Sequence, residues 1–565
     1  MSLFSTIQQS ANALQVSQLG MHVVGNNIAN ANTPGYIRQE LIQQPGPGVR
    51  IGDTILGYGV EAVGVRQKYN AYVFEQLQQA SSSLASSEKL DETYRQLESI
   101  FNELTDTDLS SQLSQLSTSI HDVLNQPGNA ALRRLVIERG KTLTANVRTL
   151  SQRITNIELD IERQIRTSAD DINRLTSQLA ALNKRIVSLE GGRTSGSDAV
   201  GLRDERLQVL KELSEIIGIR AVEQPSGAVT VYVGGEYLVA DGFQREVVAA
   251  LDENTENSQF EIRLKDTDSP LVIQSGRLHG LYQARDLALA GTRESLDQFA
   301  RDLIHQFNSI HTQGQGQSGF VTVTGTYAAD DATAPIDLAG YDQPIRNGAF
   351  EIQVHDLEAG RTTTHRVRIQ LTGGTGDTSL EDVRDAINGI SGLNASLLPD
   401  GRLRIDSANS SLQFTFQNDS SGFLAAAGIN TFFVGESANT IDLNPAVVEN
   451  PEMFAGSLSG PGNGTENALR MAEAFDLPQS ELGDRSIKQV YEDMVVRMTQ
   501  DINVQAGISD GLRNYMRTVE AEHLAASGVN LDAEAVKMIF YQRAFQATSR
   551  LIKASSEMLD VLVNL

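Results

Sequence analysis

The stretch Ile7-Gln8-Gln9-Ser10-Ala11-Asn12-Ala13-Leu14-Gln15-Val16-Ser17-Gln18-Leu19-Gly20-Met21-His22-Val23-Val24-Gly25-Asn26-Asn27-Ile28 carries an apolar residue, Ile7, Leu14, Met21 or Ile28, at every seventh position. Leu3 and Val24 sit on an adjacent seam, whose other two places hold Ser10 and Ser17. A seven-residue apolar repeat marks a helix that packs on other helices in coiled-coil fashion. The segment from Met1 to Ile37 contains no Asp, Glu, Lys or Arg, so this helix has no charged face to offer water. Gly20 and Gly25 each cost roughly 1 kcal/mol in a helix interior. The helix therefore needs a partner, and Leu3, Ile7, Leu14, Met21, Val24 and Ile28 are the predicted assembly interface.

Working outward, Asn30, Asn32 and Thr33 precede Pro34-Gly35, which stops the helix, because the residue before Pro is pushed to extended geometry. Short strands and glycine turns follow to about Arg66. The far end of the chain repeats the opening pattern. Met538, Phe545, Ile552 and Leu559 recur every seventh residue, flanked by Leu551 and Met558. Both termini thus carry heptad helices, and the simplest arrangement pairs them while the middle of the chain loops outward. Met538, Phe545, Ile552 and Leu559 are the predicted interface of the C-terminal helix.

Between the ends lie further helices. Leu109, Leu113, Leu116, Ile120 and Val123 alternate spacings of four and three, and a longer series runs from Leu143 to Leu189. About 50 such residues give a rod of about 75 Å, ended by Gly191-Gly192. Residues 219–273 alternate as β structure. Gly314-Gln315-Gly316-Gln317-Ser318-Gly319 reads as a connector, and 320–463 as mainly β with a helix near Ser379–Ile390. The predicted fold is multidomain and mainly α, with terminal heptad helices, a long-helix bundle and an inserted, mainly β outer domain. The predicted division is 1–65 with 530–565, 66–315 with 466–529, and 316–465.

Composition and motifs exclude much chemistry. The net charge of -25 repels nucleic acid and anionic membranes. No run reaches the roughly 18 apolar residues of a membrane span, and Met1-Ser2-Leu3-Phe4-Ser5-Thr6 does not resemble a cleaved secretory signal. The absence of Cys removes disulfides and thiol nucleophiles. Gly373-Gly374-Thr375-Gly376 lacks the Lys and Ser/Thr of a phosphate-binding loop and reads as a turn, with Thr378 or Ser379 capping the next helix. His305 and His311 stand six apart, on different helix faces, unlike the four-apart spacing of helical zinc ligands. No catalytic residue, metal site or cofactor is predicted.

Two motifs call for a family. Asn26-Asn27-Ile28-Ala29-Asn30-Ala31-Asn32-Thr33-Pro34-Gly35-Tyr36 resembles the N-terminal signature of flagellar rod, hook and hook-associated proteins. Ser527-Gly528-Val529-Asn530-Leu531-Asp532, with Tyr541-Gln542-Arg543-Ala544-Phe545 and Glu557-Met558-Leu559-Asp560, resembles their C-terminal one. Leu202-Arg203-Asp204-Glu205-Arg206 and Ser275-Gly276-Arg277-Leu278-His279-Gly280-Leu281 resemble the hook-associated members. Asn70 and Gln78 depart from the pattern, where Asp and Arg are common.

The resemblance implies a structural subunit of the bacterial flagellum, not an enzyme. It would self-associate in a helical array at the hook–filament junction, between hook protein and hook-associated protein 3. A cytoplasmic export chaperone would hold it before secretion through the flagellar type III apparatus, without a cleaved signal peptide. Two other readings compete: a surface adhesin, which needs a binding face in 320–463, and a filament-borne hydrolase, which needs clustered polar residues.

Overall fold

A computed structural model describes residues 3–563 apart from 34, 52–53, 58, 69, 102–107, 192–198, 253–258 and 375. Its helices run, in chain order, α1 (Leu3–Ala29), α2 (Ala71–Phe101), α3 (Leu109–Asn125), α4 (Ala130–Glu190), α5 (Val200–Ile216), α6 (Arg277–Gln283) and α7 (Ala290–His311). They continue as α8 (Leu380–Asn388), α9 (Phe423–Ala426), α10 (Pro445–Glu449), α11 (Glu466–Asp476), α12 (Ile487–Ser527) and α13 (Leu531–Val563). The chain forms two compact units. One is Met1–Tyr94, Leu159–Asp286 and Asn503–Leu565; the other is Arg95–Glu158 and Leu287–Ile502.

The long series is one helix, α4, of 61 residues. It starts at Ala130 rather than near Leu143, because Pro127-Gly128 sets the break and the Asn129 side chain accepts from the Ala131 N–H. Val136 and Ile137 then extend the apolar line upstream. Gly140 lets the helix pass close to its neighbours: a Cβ there would lie 3.1 Å from the Phe432 ring and from Leu443. The line of Leu143, Val147, Ile154, Ile161, Ile165, Ile172, Leu179 and Ile186 is at most 2% exposed.

In the first unit, α1 and α13 pack along each other. Strand β1 (Gln39–Pro45) pairs antiparallel with β4 (Val60–Gln67), with a register shift after Ile42. Between them, β2 (Gly48–Ile51) and β3 (Thr54–Gly57) form a hairpin. A four-stranded sheet joins β5 (Arg220–Glu223), β6 (Val229–Val233), β7 (Glu236–Ala240) and β8 (Phe243–Gln244) in that order. Strands β9 (Val247–Asp252) and β10 (Gln259–Leu264) form a hairpin. The predicted β character of 219–273 is thus present. The motif residue Arg203 makes a two-pronged bond to the buried Glu190 carboxylate at 2.8 Å, tying α5 to the end of α4.

In the second unit, β12 (Gly348–Asp356) lies between β13 (Arg361–Ile369) and β16 (Leu412–Gln417), and β15 (Leu403–Ser407) lies between β11 (Thr322–Thr324) and β14 (Leu393–Leu397). A two-residue pair, β17 (Phe433–Val434) with β18 (Asp442–Leu443), completes it. One apolar core, from Phe320 to Ile429, holds this β region together. Ser379 caps α8 in a reciprocal capping box with Asp382. The glycine stretch before it is a plain turn, whose Thr372 and Gly373 N–H groups donate to the Asp377 carboxylate; Thr375 lies outside the described residues.

From Glu466 to Val563 the described chain is three helices. Pro478 and a left-handed Gly483 separate α11 from α12, and Gly528 separates α12 from α13. A Cβ on Gly528 would sit 2.4 Å from the Leu524 carbonyl oxygen, so this tight turn requires glycine.

Candidate assembly site at the paired termini

The turn that ends α1 builds the site. The Asn30 N–H donates to the Asn26 carbonyl and the Thr33 N–H to Asn30, and Gly35 takes a left-handed φ of 76°. The chain therefore doubles back, and the Tyr36 hydroxyl reaches the Asn27 amide oxygen at 2.8 Å. Asn27 is fully buried and spends its whole hydrogen-bonding capacity. Its oxygen also accepts from the Gln39 N–H at 2.9 Å, while its nitrogen donates to the Gln39 carbonyl and to Glu534 Oε2, each at 2.9 Å. An Asp here could make only the accepting half.

Glu534, in the first turn of α13, is the other half of the clamp. Its side chain is 0% exposed. Oε1 accepts from Arg38 Nε at 2.8 Å and from an Arg38 terminal nitrogen at 2.6 Å. Burial alone would raise this carboxyl, but bonds from Asn27 and Arg38 and the charge of Lys537 hold it below the usual Glu range. Burial, with the negative charges of Asp204 and Glu534, pushes the Tyr36 phenol up to about 12. The Arg38 N–H donates to the Ser527 carbonyl, and Asn530 caps α13 by accepting from the Ala533 N–H. The two motifs, at opposite ends of the sequence, thus form one structure. Together with Phe74 and Leu77 they line a cleft of about 820 Å³.

Along α1, the line with Ser10, Ser17 and Val24 is buried, while Ile7, Leu14 and Met21 are half-buried and Ile28 is exposed. The Leu3 side chain and Pro34 lie outside the described residues. The small residues permit close approach: a Cβ on Gly20 would lie 2.5 Å from the Tyr541 ring. That ring is fixed by Gln43, which donates to its hydroxyl at 3.2 Å. Along α13, Met538, Phe545, Ile552 and Leu559 are all half-buried. Met538 comes within 3.8 Å of a Cβ built on Gly25, so this line turns toward α1 of the same chain. Among the remaining motif residues, Asn26, Asn32, Thr33, Leu531, Gln542 and Met558 are exposed, and Gly528, Val529 and Asn530 form the α12–α13 turn.

Arg38 and Glu534 escaped the reading of the sequence. One signal pointed to Arg38: it is the first charge after the charge-free segment. Glu534 carries no such mark. No group of three or more His, Asp or Glu side chains suited to a metal occurs among the described residues.

The chain resembles known proteins at both termini and between them. Residues 94–326 match the family described as "Flagellar hook-associated protein FlgK helical domain". Residues 7–36 match "Flagella basal body rod protein", and 520–565 match "Flagellar basal body rod FlgEFG protein C-terminal". The flagellar hook-associated protein 1 of Salmonella typhimurium is 23% identical over 99% of this chain and the whole of that protein. That of Bacillus subtilis is 25% identical over 70% of this chain and 83% of its own. In fold, the chain is similar to the hook junction protein FlgK of Burkholderia pseudomallei, with a TM-score of 0.52 at 13% identity, over 79% of this chain and 99% of that one. Rod-protein matches at both termini, which the clamp joins, and a helical-domain match between them are the marks of a structural protein of the flagellar axis. Over its whole length the chain is similar to flagellar hook-associated protein 1.

Proposed function

We infer that this chain is a structural subunit at the hook–filament junction of the bacterial flagellum, joining hook to filament by polymerising through its paired terminal helices. The observation that carries the reading is the Asn27–Arg38–Glu534 clamp, which makes one assembly element of helices whose residues stand 496 positions apart. Its partners in this reading are further copies of itself, hook protein, hook-associated protein 3 and, before export, a cytoplasmic chaperone. The site is extracellular; no helix among the described residues is long and apolar enough to cross a membrane. The division into 1–65 with 530–565, 66–315 with 466–529, and 316–465 belongs to the same reading, as inner, middle and outer layers.

Electron microscopy of a strain lacking the chain tests it. Hooks without filaments are expected. Normal filaments with lost surface attachment would instead identify an adhesin.

A further inference from the structure

In the first unit, helix α2, strands β5 and β6 and the segment 272–275 enclose a cleft of about 610 Å³. Small-ligand sites have volumes of roughly 300–1,000 Å³. Close packing sets the walls. The Ser82 hydroxyl donates to Ser275 Oγ at 2.8 Å. The Gly218 N–H donates to the Ser275 carbonyl and the Gly276 N–H to the Ser82 carbonyl, each at 3.0 Å. The β6–β7 turn leans on the same segment: Gly234 takes a left-handed φ of 57°, and a Cβ there would lie 2.5 Å from the Val272 carbonyl oxygen. The cleft is thus a feature of the backbone.

Its lining runs against the charge of the chain. Among the described residues around it there is no Asp or Glu, and Arg220 is the single charged side chain. Arg220 is exposed and has neither an ion pair nor a hydrogen bond among the described residues. In the pairing of β5 with β6 it stands directly opposite Tyr232, so the two side chains share a face, with Val222 two residues on. Gln78, on α2, is 4% exposed, and its amide nitrogen has no hydrogen-bond partner among the described residues. A buried amide left unpaired calls for a partner. Gln79 and Gln274, both exposed, bring two further amides to the same cleft.

Each part selects one feature of a ligand. A free guanidinium with no carboxylate beside it suits a carboxylate, held by two parallel bonds. A side-chain amide both donates and accepts, as a hydroxyl does, so three of them suit a polyol. A half-turn of the last torsion exchanges the oxygen and nitrogen of Gln78, so it can meet a hydroxyl with either. Tyr232 and Val222 add apolar surface for the C–H face of a ring. We propose that this cleft binds a hexuronic acid, its carboxylate on Arg220 and its hydroxyls on the glutamine amides. A bare phosphate or sulfate would use Arg220 and leave the amide oxygens without donors. An acidic peptide would do the same with its side-chain carboxylate.

Saturation-transfer NMR on the purified full chain tests this. The probes are the methyl glycosides of glucuronic and galacturonic acid, with those of glucose and galactose as uncharged controls and N-acetylglutamate amide as the peptide control. One uronide should bind about tenfold more tightly than its uncharged counterpart. Arg220→Gln should remove that difference, and Gln78→Leu should weaken uronide binding about threefold. Arg220→Gln should melt like the parent, and Gln78→Leu no lower, since it deletes an unpaired buried amide. If Gln78→Leu fails to fold, the exposed Arg220 still decides. No binding of either uronide, or binding that a folded variant leaves unchanged, overturns the proposal. Tighter binding of N-acetylglutamate amide overturns it in favour of an acidic peptide.

Discussion

Helices α4 and α13 advertise themselves in the sequence by the same repeat, yet their apolar lines meet different fates. The line of α4 is sealed from Leu143 to Ile186, with Ile154, Ile165 and Ile172 at 0% exposure. On α13 the corresponding line is half-buried against α1, and a second line stands open. Tertiary packing supplies most helical stability in proteins. The sealed helix therefore draws its stability from its own chain, while α13 leaves apolar surface exposed, Val536, Phe540, Leu551, Met558 and Val561 among it. The repeat reports that a partner exists and is silent about whose chain provides it.

The base of the terminal pair is where this contrast should break most sharply, since Glu534 is as buried as any residue of α4. Replacing it by Ala leaves Arg38, with a side chain only 15% exposed, without this acceptor, and the Asn27 amide nitrogen with the Gln39 carbonyl alone. Removing one member of a buried ion pair costs about 3–5 kcal/mol. Hydrogen exchange on the Glu534→Ala chain should show α1 and α13 losing protection together, with the second unit unchanged. Full protection of α13 would show that the clamp does not hold the pair.

The second unit buries a titratable group in the opposite way, as a neutral one. His311 is 0% exposed; its Nδ1–H donates to the Asn430 carbonyl at 2.8 Å and its Nε2 accepts from the Ala455 N–H at 3.1 Å. Burial pushes the imidazole down to about 4, against a smaller upward pull from the Asn430 bond. With the folded value below the unfolded one of about 6.5, the contribution is complete above pH 6.5 and is lost as pH falls toward about 4. At pH 5 the loss is about 2 kcal/mol. Denaturant unfolding at pH 7.5 and 5 should show it, and His311→Gln should flatten the difference. An unchanged slope in the variant would assign the acid sensitivity elsewhere.

Much of this was legible because it is local. The terminal heptads, the stop after Asn30, the β character of 219–273 and the Ser379 cap follow from spacing and turn chemistry within a few residues. The Arg38–Glu534 pair was not, because nothing local distinguishes Glu534 from the other carboxylates of a strongly acidic chain. The sequence reading also began α4 too late, at Leu143, although Val136 and Ile137 continue its buried apolar line upstream. Which α13 line faces inward also depends on Gly20 and Tyr541, residues 521 positions apart by number.

Those glycines give the smallest and most discriminating effect. In sequence, Gly20 and Gly25 look alike, two charges against the stability of α1 of roughly 1 kcal/mol each. In the structure they differ. A methyl at Gly20 would sit 2.5–2.7 Å from three carbons of the Tyr541 ring, which Gln43 holds in place. At Gly25 the nearest atom is Met538 Cε at 3.8 Å, an ordinary contact. Gly25→Ala should therefore stabilise α1 by about 0.5–1 kcal/mol, the propensity difference with nothing to oppose it. Gly20→Ala gains the same propensity but must displace the ring, at a cost of about 1–3 kcal/mol, so the net change is a loss or at best zero. Amide protection along α1 in the two variants reads both signs at once. A gain at Gly20 comparable to that at Gly25 would mean that the two helices do not approach closely there, and that the small residues of α1 face something other than α13.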